Sequence, residues 1–295
     1  MTKKLLGTLS AVAALAFVAS ALDAATILSS TQRRLFRADT TTGNYTYVGM
    51  FDPTDTFIGG SDIVEIALFP TNMGLYGVNS NKNDFYKINP NTGQASIIAD
   101  IGAPHLGLGW APDPLDSGNP YLWGAGASDD KLYRIDPMTG TAIQRGNMTP
   151  PGIGQTLNVT DLAWDGTNMY AVENNYTSLF RINLATGQAT QIGTGWGIGP
   201  DARMNGLLYL PGEDTLVAQA RIGGLGYETS GAIYRIDRVT GLASNPIGPS
   251  GDIGPGGVIS SIGTGDFADY VIPEPGTIAL GLLGLGLAIV RFRRG

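Results

Sequence analysis

With 295 residues, 43% of them apolar and 15% charged, the chain is long enough for one large β domain or two smaller ones and too apolar for a disordered acidic tail. The absence of cysteine excludes a disulfide framework, a thiolate zinc site and a cysteine nucleophile, and a net charge of −7 argues against nucleic acid as a partner. The 43 glycines, roughly twice the usual share, fall at turn positions without a triplet period, which points to many short strands and excludes collagen.

Residues 1–25 open with a basic pair, Lys3 and Lys4, followed by an uncharged apolar run over 5–18 and the small-x-small sequence Ala19-Ser20-Ala21. That order is the signature of a secretory signal peptide. The apolar run is too short to cross a hydrocarbon layer of about 30 Å. Cleavage is expected between Ala21 and Ala25, and the body then lies outside the cytoplasm.

From residue 26 to residue 270 one phrase recurs. It reads LFRADTTTG at 35–43, FYKINPNTG at 85–93, LYRIDPMTG at 132–140, LFRINLATG at 179–187 and IYRIDRVTG at 233–241. Alternating aromatic, aliphatic and polar residues predict a half-buried strand. The Asp or Asn that follows can cap its own turn through its side chain, and the glycine supplies a positive φ. A second alternating strand follows, so each phrase predicts a β-hairpin. A phrase used five times is architecture, because a catalytic motif is needed once.

The five phrase glycines, Gly43, Gly93, Gly140, Gly187 and Gly241, are 50, 47, 47 and 54 residues apart. A period of that size is the length of a four-stranded propeller blade. Two further strands precede each of the last four phrases: 63–69 and 75–78, 106–110 and 121–124, 160–164 and 169–173, 206–210 and 216–219. Only 26–30 precedes the first. The missing strand is expected at 258–262 (VISSI), paired with 26–30 so that both ends of the body build the first blade. The expected fold is therefore all-β, a five-bladed propeller of four-stranded blades closed by its N- and C-terminal strands; a β-sandwich or a longer solenoid is the alternative. In outline the body resembles the NHL and WD-type propeller families, without their signature residues. Glycine- and proline-rich loops are expected at 111–120, 146–158 and 193–203.

Chemistry is sparse. His105 is the only histidine, so a histidine triad or a multi-histidine metal site is excluded. Alignment of the innermost strands puts Glu65 and Asp161 at equivalent positions facing the central channel, where the other two copies carry Gly107 and Gly206. These are the candidate catalytic acids, of the kind a glycoside hydrolase uses in pairs. Asp113, Asp116, Asp129 and Asp130 read as turn formers without calcium-loop spacing. Neither a cofactor nor a metal is expected. Trp196 and Tyr176 are candidate exposed aromatics for stacking on sugars.

At the far end, Pro273-Glu274-Pro275-Gly276 forbids helix, residues 277–290 carry no charge, and Arg291, Arg293 and Arg294 follow. A membrane-spanning helix over this tail would hold its arginines in the cytoplasm, matching the orientation set by the signal peptide. Removing Lys3, Lys4 and those three arginines leaves 13 basic against 25 acidic side chains, a body of −12. The tail resembles the PEP-CTERM sorting signal of Gram-negative bacteria, in the VIPEP box at 271–275, the Gly/Leu-rich segment and the terminal RFRRG. The resemblance implies recognition by a membrane-embedded exosortase at Pro273, Glu274, Pro275, Arg291, Arg293 and Arg294, and release or attachment at the outer envelope. It also implies an association with exopolysaccharide. The expected layout is a signal peptide over 1–25, a propeller over 26–270 and a sorting tail over 271–295. The expected role is a scaffold or binding module for polysaccharide or an envelope protein; the alternative is a secreted propeller hydrolase or lyase.

Overall fold

The computed structural model describes residues 26–31, 33–52, 63–79, 82–102, 105–126, 129–150, 156–199, 202–222, 232–244, 246–247 and 267–268. They form five antiparallel sheets, and no helix occurs among them. The first blade holds β1 (Thr26–Thr31), β2 (Arg34–Asp39) and β3 (Tyr45–Met50). The second runs β4 (Ile63–Phe69), β5 (Gly74–Asn79), β6 (Asp84–Ile88) and β7 (Ala95–Asp100). The third runs β8 (His105–Pro112), β9 (Pro120–Gly126), β10 (Lys131–Ile135) and β11 (Ala142–Asn147). The fourth runs β12 (Val159–Trp164), β13 (Met169–Glu173), β14 (Ser178–Ile182) and β15 (Ala189–Ile192). The fifth holds β16 (Ala202–Leu210), β17 (Thr215–Ile222) and β18 (Ala232–Ile236), with Ala243 and Ile247 bridged to Ile236 and Ile233 as the remnant of a fourth strand.

The ring closes through β19 (Phe267–Ala268), which pairs with the free edge of β1 as Ser29↔Phe267 and Leu28↔Ala268. Blade 1 is thus built from both ends of the body. The closing pair differs from the expected one: the edge of β1 is taken by 267–268, and 258–262 lies outside the described residues. Phe267 explains the choice, because it buries a whole aromatic ring among Ile27, Phe36, Leu208 and Ile233. Strands β4, β8, β12, β16 and β19 touch in that cyclic order and surround the axis.

The apolar core is not central. It is divided into five clusters, one in each seam between neighbouring blades. The period-2 alternation sends adjacent side chains to opposite seams. Leu162 faces blade 3, for example, and Ala163 faces blade 5. Inner strands are consequently buried on both faces, as in β5 and β13, whereas the outer strands β7 and β11 are largely exposed or half-buried.

All five phrase turns have the expected construction. The leading carboxylate or amide oxygen accepts two main-chain N–H groups, from Thr41 and Thr42 to Asp39 and likewise at Asn89, Asp136, Asn183 and Asp237. The phrase glycines have φ between 71° and 79°. The turns of blades 2, 4 and 5 also dock on the preceding blade. Thr92–Gly93 rests on Gly49, Thr186–Gly187 on Gly146 and Thr240–Gly241 on Gly193, with main chain against main chain. Beside the contact, Ala95, Ala189 and Ala243 donate N–H groups to the carbonyls of Phe51, Met148 and Trp196 at 2.9, 3.1 and 2.8 Å.

A Cβ at Gly146 would fall on the Thr186 carbonyl. Gly146→Ala is expected to lower stability by about 1–3 kcal/mol, the usual range for overpacking. Gly212→Ala, where a Cβ meets nothing within 4 Å, is expected to be neutral or slightly stabilising. Urea unfolding midpoints of the two variants check this difference.

Candidate functional site

The inner strands position the two candidate acids. Each of β4, β8, β12 and β16 carries a β-bulge near its start, and Glu65, Asp161 and Gly206 resume the register just after it, with Gly107 inside the bulge of β8. The equivalence read from sequence is therefore geometric. Asp161 is 0% exposed. Its Oδ1 accepts the N–H of Leu162 at 2.7 Å and of Leu108 at 3.4 Å, and its Oδ2 accepts the N–H of Leu207. One carboxylate thus holds main chain of blades 3, 4 and 5 together near the axis. Gly107, at φ 99°, leaves the space for it: a Cβ there would come within 3.1 Å of the Asp161 Cα. Glu65 is buried on β4, separated from β12 by β8. Neither acid lines the cavity of about 20 Å³ that Ile66, Leu108, Leu162, Leu208 and Phe267 enclose between the inner strands, with room for roughly one water.

Glu173, also buried, is used the same way. It accepts the N–H groups of Asn158, Asn175 and Tyr176 at 2.6–2.7 Å. Burial raises its pKa, against the pull of those three donors.

The loop aspartates form turns, as expected, and also ion pairs. Asp113 is buried, caps its turn through Leu115 N–H at 2.9 Å, and binds Arg134 at 2.8 Å and Arg145. Asp116 lies 3.3 Å from Arg134 and accepts the Tyr121 hydroxyl at 2.6 Å; that bond, with help from Asn119 and Arg134, holds its carboxyl below the usual range. Asp129 accepts the Tyr133 hydroxyl at 2.5 Å, and Asp130 accepts from Thr149 at 2.7 Å and Leu157 N–H at 3.0 Å. No group of three or more His, Cys, Asp or Glu among the described residues is arranged to hold a metal ion.

The basic residues of the last three phrases, Arg134, Arg181 and Arg235, differ in their partners. Arg134 is neutralised by Asp113 and Asp116 in the first turn of its own blade. Arg235 is neutralised by Glu213 in the first turn of its own blade, at 2.6 Å. Arg181 has Asp165 in the corresponding turn, but Asp165 is held by Arg238 of blade 5 at 2.6 Å. Burial disfavours the Asp165 charge, yet the N–H groups of Asn168 and Thr167 and the Arg238 guanidinium outweigh it and lower its pKa. Arg181 is exposed and has no carboxylate partner among the described residues.

The same exchange shapes the seams. Between blades 4 and 5, Arg238 lies over the Tyr209 ring at 5.3 Å and ties Asp214 to Asp165. Between blades 3 and 4, the position of Arg238 is held by Leu184 and that of Tyr209 by Trp164. Among the described residues no ion pair bridges this seam, and an open groove of about 510 Å³ remains. Its lining includes Pro112, Pro114, half-buried Trp164, Asn168, Arg181 and Leu184.

The two aromatics expected to be exposed are not available as platforms. Trp196 is 1% exposed and packs in the seam between blades 4 and 5. It occupies the anchor position after the outer strand that Phe51 and Met148 occupy elsewhere, which its sequence neighbours, Gly195 and Gly197, conceal. Tyr176 is half-buried against Phe180, with ring centroids 6.5 Å apart. His105 opens β8, its backbone paired with Gly126.

Residues 271–294 match the PEP-CTERM protein-sorting motif, a span that contains Pro273, Glu274, Pro275, Arg291, Arg293 and Arg294. The motif implies export, a membrane-anchored precursor and processing by an exosortase-type enzyme. The tail lies outside the described residues, among which no helix is long and apolar enough to cross a membrane. No curated protein matches the chain. Among solved structures, it is similar to a structural-genomics protein of unknown function from Bacteroides thetaiotaomicron, with 18% identity and a TM-score of 0.43 over 63% of this chain and 53% of that one. The chain thus spans about half the length of that relative. It is also similar to the glutaminyl cyclase of Myxococcus xanthus, with 14% identity and a TM-score of 0.48 over 72% of this chain and 90% of that one.

Asp161→Ala strands the N–H groups of Leu162, Leu108 and Leu207, each worth about 1–3 kcal/mol when buried without an acceptor. The expected loss is about 3 kcal/mol or more, and Asp161→Asn, which keeps one acceptor oxygen, is expected to lose less. Urea unfolding of the two variants against the parent checks the order.

Proposed function

We propose that this chain is an exported protein of the cell envelope or extracellular matrix, with a propeller body that serves as a scaffold or binding module. The observation that carries the reading is the sorting motif at 271–294 attached to a closed propeller. Residues 1–25 act as the signal peptide and are removed. The tail over 271–295 spans the inner membrane, holds Arg291, Arg293 and Arg294 in the cytoplasm and offers Pro273-Glu274-Pro275 to the processing enzyme. The body over 26–270 is then released or attached beyond the membrane. Its partner in this reading is a polysaccharide or an envelope protein.

A secreted hydrolase or lyase needs two carboxyls converging on one substrate-sized pocket, about 5–10 Å apart. Asp161 is committed to three main-chain donors and Glu65 is buried two blades away. Neither lines the open groove. These positions favour binding over hydrolysis.

Intact mass of the mature protein, measured with its cellular fraction, tests the reading. The expected mass lacks both the signal peptide and most of the tail, and the protein is found in the outer envelope or medium. Replacing Pro273, Glu274 and Pro275 together by alanine is expected to leave a full-tail precursor in the inner membrane. An unprocessed tail in the parent, or an unchanged distribution in the triple variant, contradicts the proposal.

A further inference from the structure

The two ends of the propeller lie toward one face of the ring. The inner strands run toward the face that carries the phrase turns, as β4 does through its pairing with β5 and β6. Strand β19 runs the same way, because it is antiparallel to β1, and Thr26 at the start of β1 pairs with Asp39 at the head of a phrase turn. After Ala268, eight residues (269–276) precede the uncharged run at 277–290. An extended chain gains at most about 3.5 Å per residue, so they bridge at most roughly 30 Å. A precursor anchored by that run therefore keeps the phrase-turn face next to the lipid.

This face is also where apolar side chains protrude. Among the described residues, seven large apolar side chains are exposed, and five of them, Met73, Leu115, Met138, Val239 and Leu242, sit in or beside turns of this face. The other two, Ile97 and Ile143, are on the outer strands β7 and β11. Met138 (73% exposed) and Val239 (84%) occupy the same position, two residues after the aspartate that caps each turn. Single exposed apolar residues are ordinary; five gathered on the face from which a membrane tail departs form a surface. The acids around them are already engaged, Asp113 and Asp116 by Arg134, Asp165 and Asp214 by Arg238, and Glu213 by Arg235, which limits repulsion by anionic lipid.

We propose that the phrase-turn face is a lipid-contacting surface, on which Met73, Leu115, Met138 and Val239 enter the interfacial layer of the inner membrane and seat the body of the precursor on the bilayer. This rests on the reading of the tail over 271–295 as a membrane anchor and adds the surface that the propeller turns toward that membrane. Interfacial binding scales with the apolar area buried, so each side chain contributes little by itself. The tail confines the face to within its own reach of the lipid, and at that effective concentration weak contacts suffice. Seated in this way, the body leaves Pro273-Glu274-Pro275 at the bilayer surface, where a membrane-embedded processing enzyme works.

The full-length precursor has no native cysteine, so a single bimane label can be placed through Met138→Cys, Val239→Cys or Asn175→Cys. Asn175 is exposed in the turn between β13 and β14, at the opposite face. Each labelled precursor would be reconstituted in vesicles of phosphatidylethanolamine and phosphatidylglycerol with brominated acyl chains. Flotation reports anchoring by the tail, and bromine quenching reports which face touches lipid. All three are expected to float, with quenching severalfold stronger at Met138→Cys and Val239→Cys than at Asn175→Cys. Adding Leu115→Ser and Val239→Ser to the Met138→Cys precursor is expected to leave flotation and melting temperature unchanged, since both side chains are exposed, and to remove most of the quenching. Equal quenching on the two faces, or undiminished quenching in the serine variant, overturns the proposal. Disulfide-linked dimers of unlabelled Val239→Cys in vesicles, without lipid quenching, overturn it in favour of a second copy of the chain. A precursor that floats without quenching at the turns overturns the proposal alone, whereas one that does not float overturns the anchoring reading as well.

Discussion

The pairing of Phe267–Ala268 with the free edge of β1 is the contact on which the rest of the molecule depends. Each blade buries apolar side chains on both faces, so each needs a neighbour on both sides. Five blades supply five seams only if the fifth meets the first; a linear array would leave two apolar faces and an unpaired strand edge in water. A two-residue strand suffices because it completes more than its own ladder. Phe267 fills the seam between blades 5 and 1, and Ala268 joins the seam between blades 1 and 2. Closure also joins the N-terminal strand to the C-terminal end of the body, so the propeller is complete without the segments beyond 26 and 268.

Once the ring is closed, its polar interior is spent on backbone. Asp161 and Glu173 together receive main-chain donors from blades 3, 4 and 5, the work that ladder hydrogen bonds cannot do where blades converge. Buried carboxylates are tolerated there because several N–H groups share each charge. The cavity enclosed by Ile66, Leu108, Leu162, Leu208 and Phe267 has room for roughly one water. Variation is confined instead to the turns and the outer ends of the seams, where Arg238 closes one seam and Leu184 leaves its counterpart open.

The features legible in the sequence are those fixed by local stereochemistry. The five phrase turns needed only an Asx oxygen and a glycine of positive φ, and the equivalence of Glu65 with Asp161 needed only a common strand register. The features that escaped depend on contacts between blades. Trp196 sits in a glycine-rich stretch that reads as an exposed loop, yet its burial follows from the anchor role shared with Phe51 and Met148; the spacing of about eight residues from each phrase glycine was the available signal. The closing strand was sought in the alternation at 258–262, whereas the short Phe267-Ala268 pair carries the bulky residue that the last seam requires. Arg181 looked like any other strand residue, because its isolation arises from a partner, Asp165, that is bound by a residue 73 positions away.

The most direct measurement uses the absence of native cysteine. Leu28→Cys and Ala268→Cys place two thiols at directly paired positions of β1 and β19, within the Cα separation of about 4.4–6.8 Å that a disulfide tolerates. A closed ring predicts a single intramolecular disulfide, found by peptide mapping without reductant, and a higher unfolding midpoint in the oxidised form. Two thiols that remain free and alkylatable in the folded protein would contradict closure, and with it the whole arrangement of blades and seams.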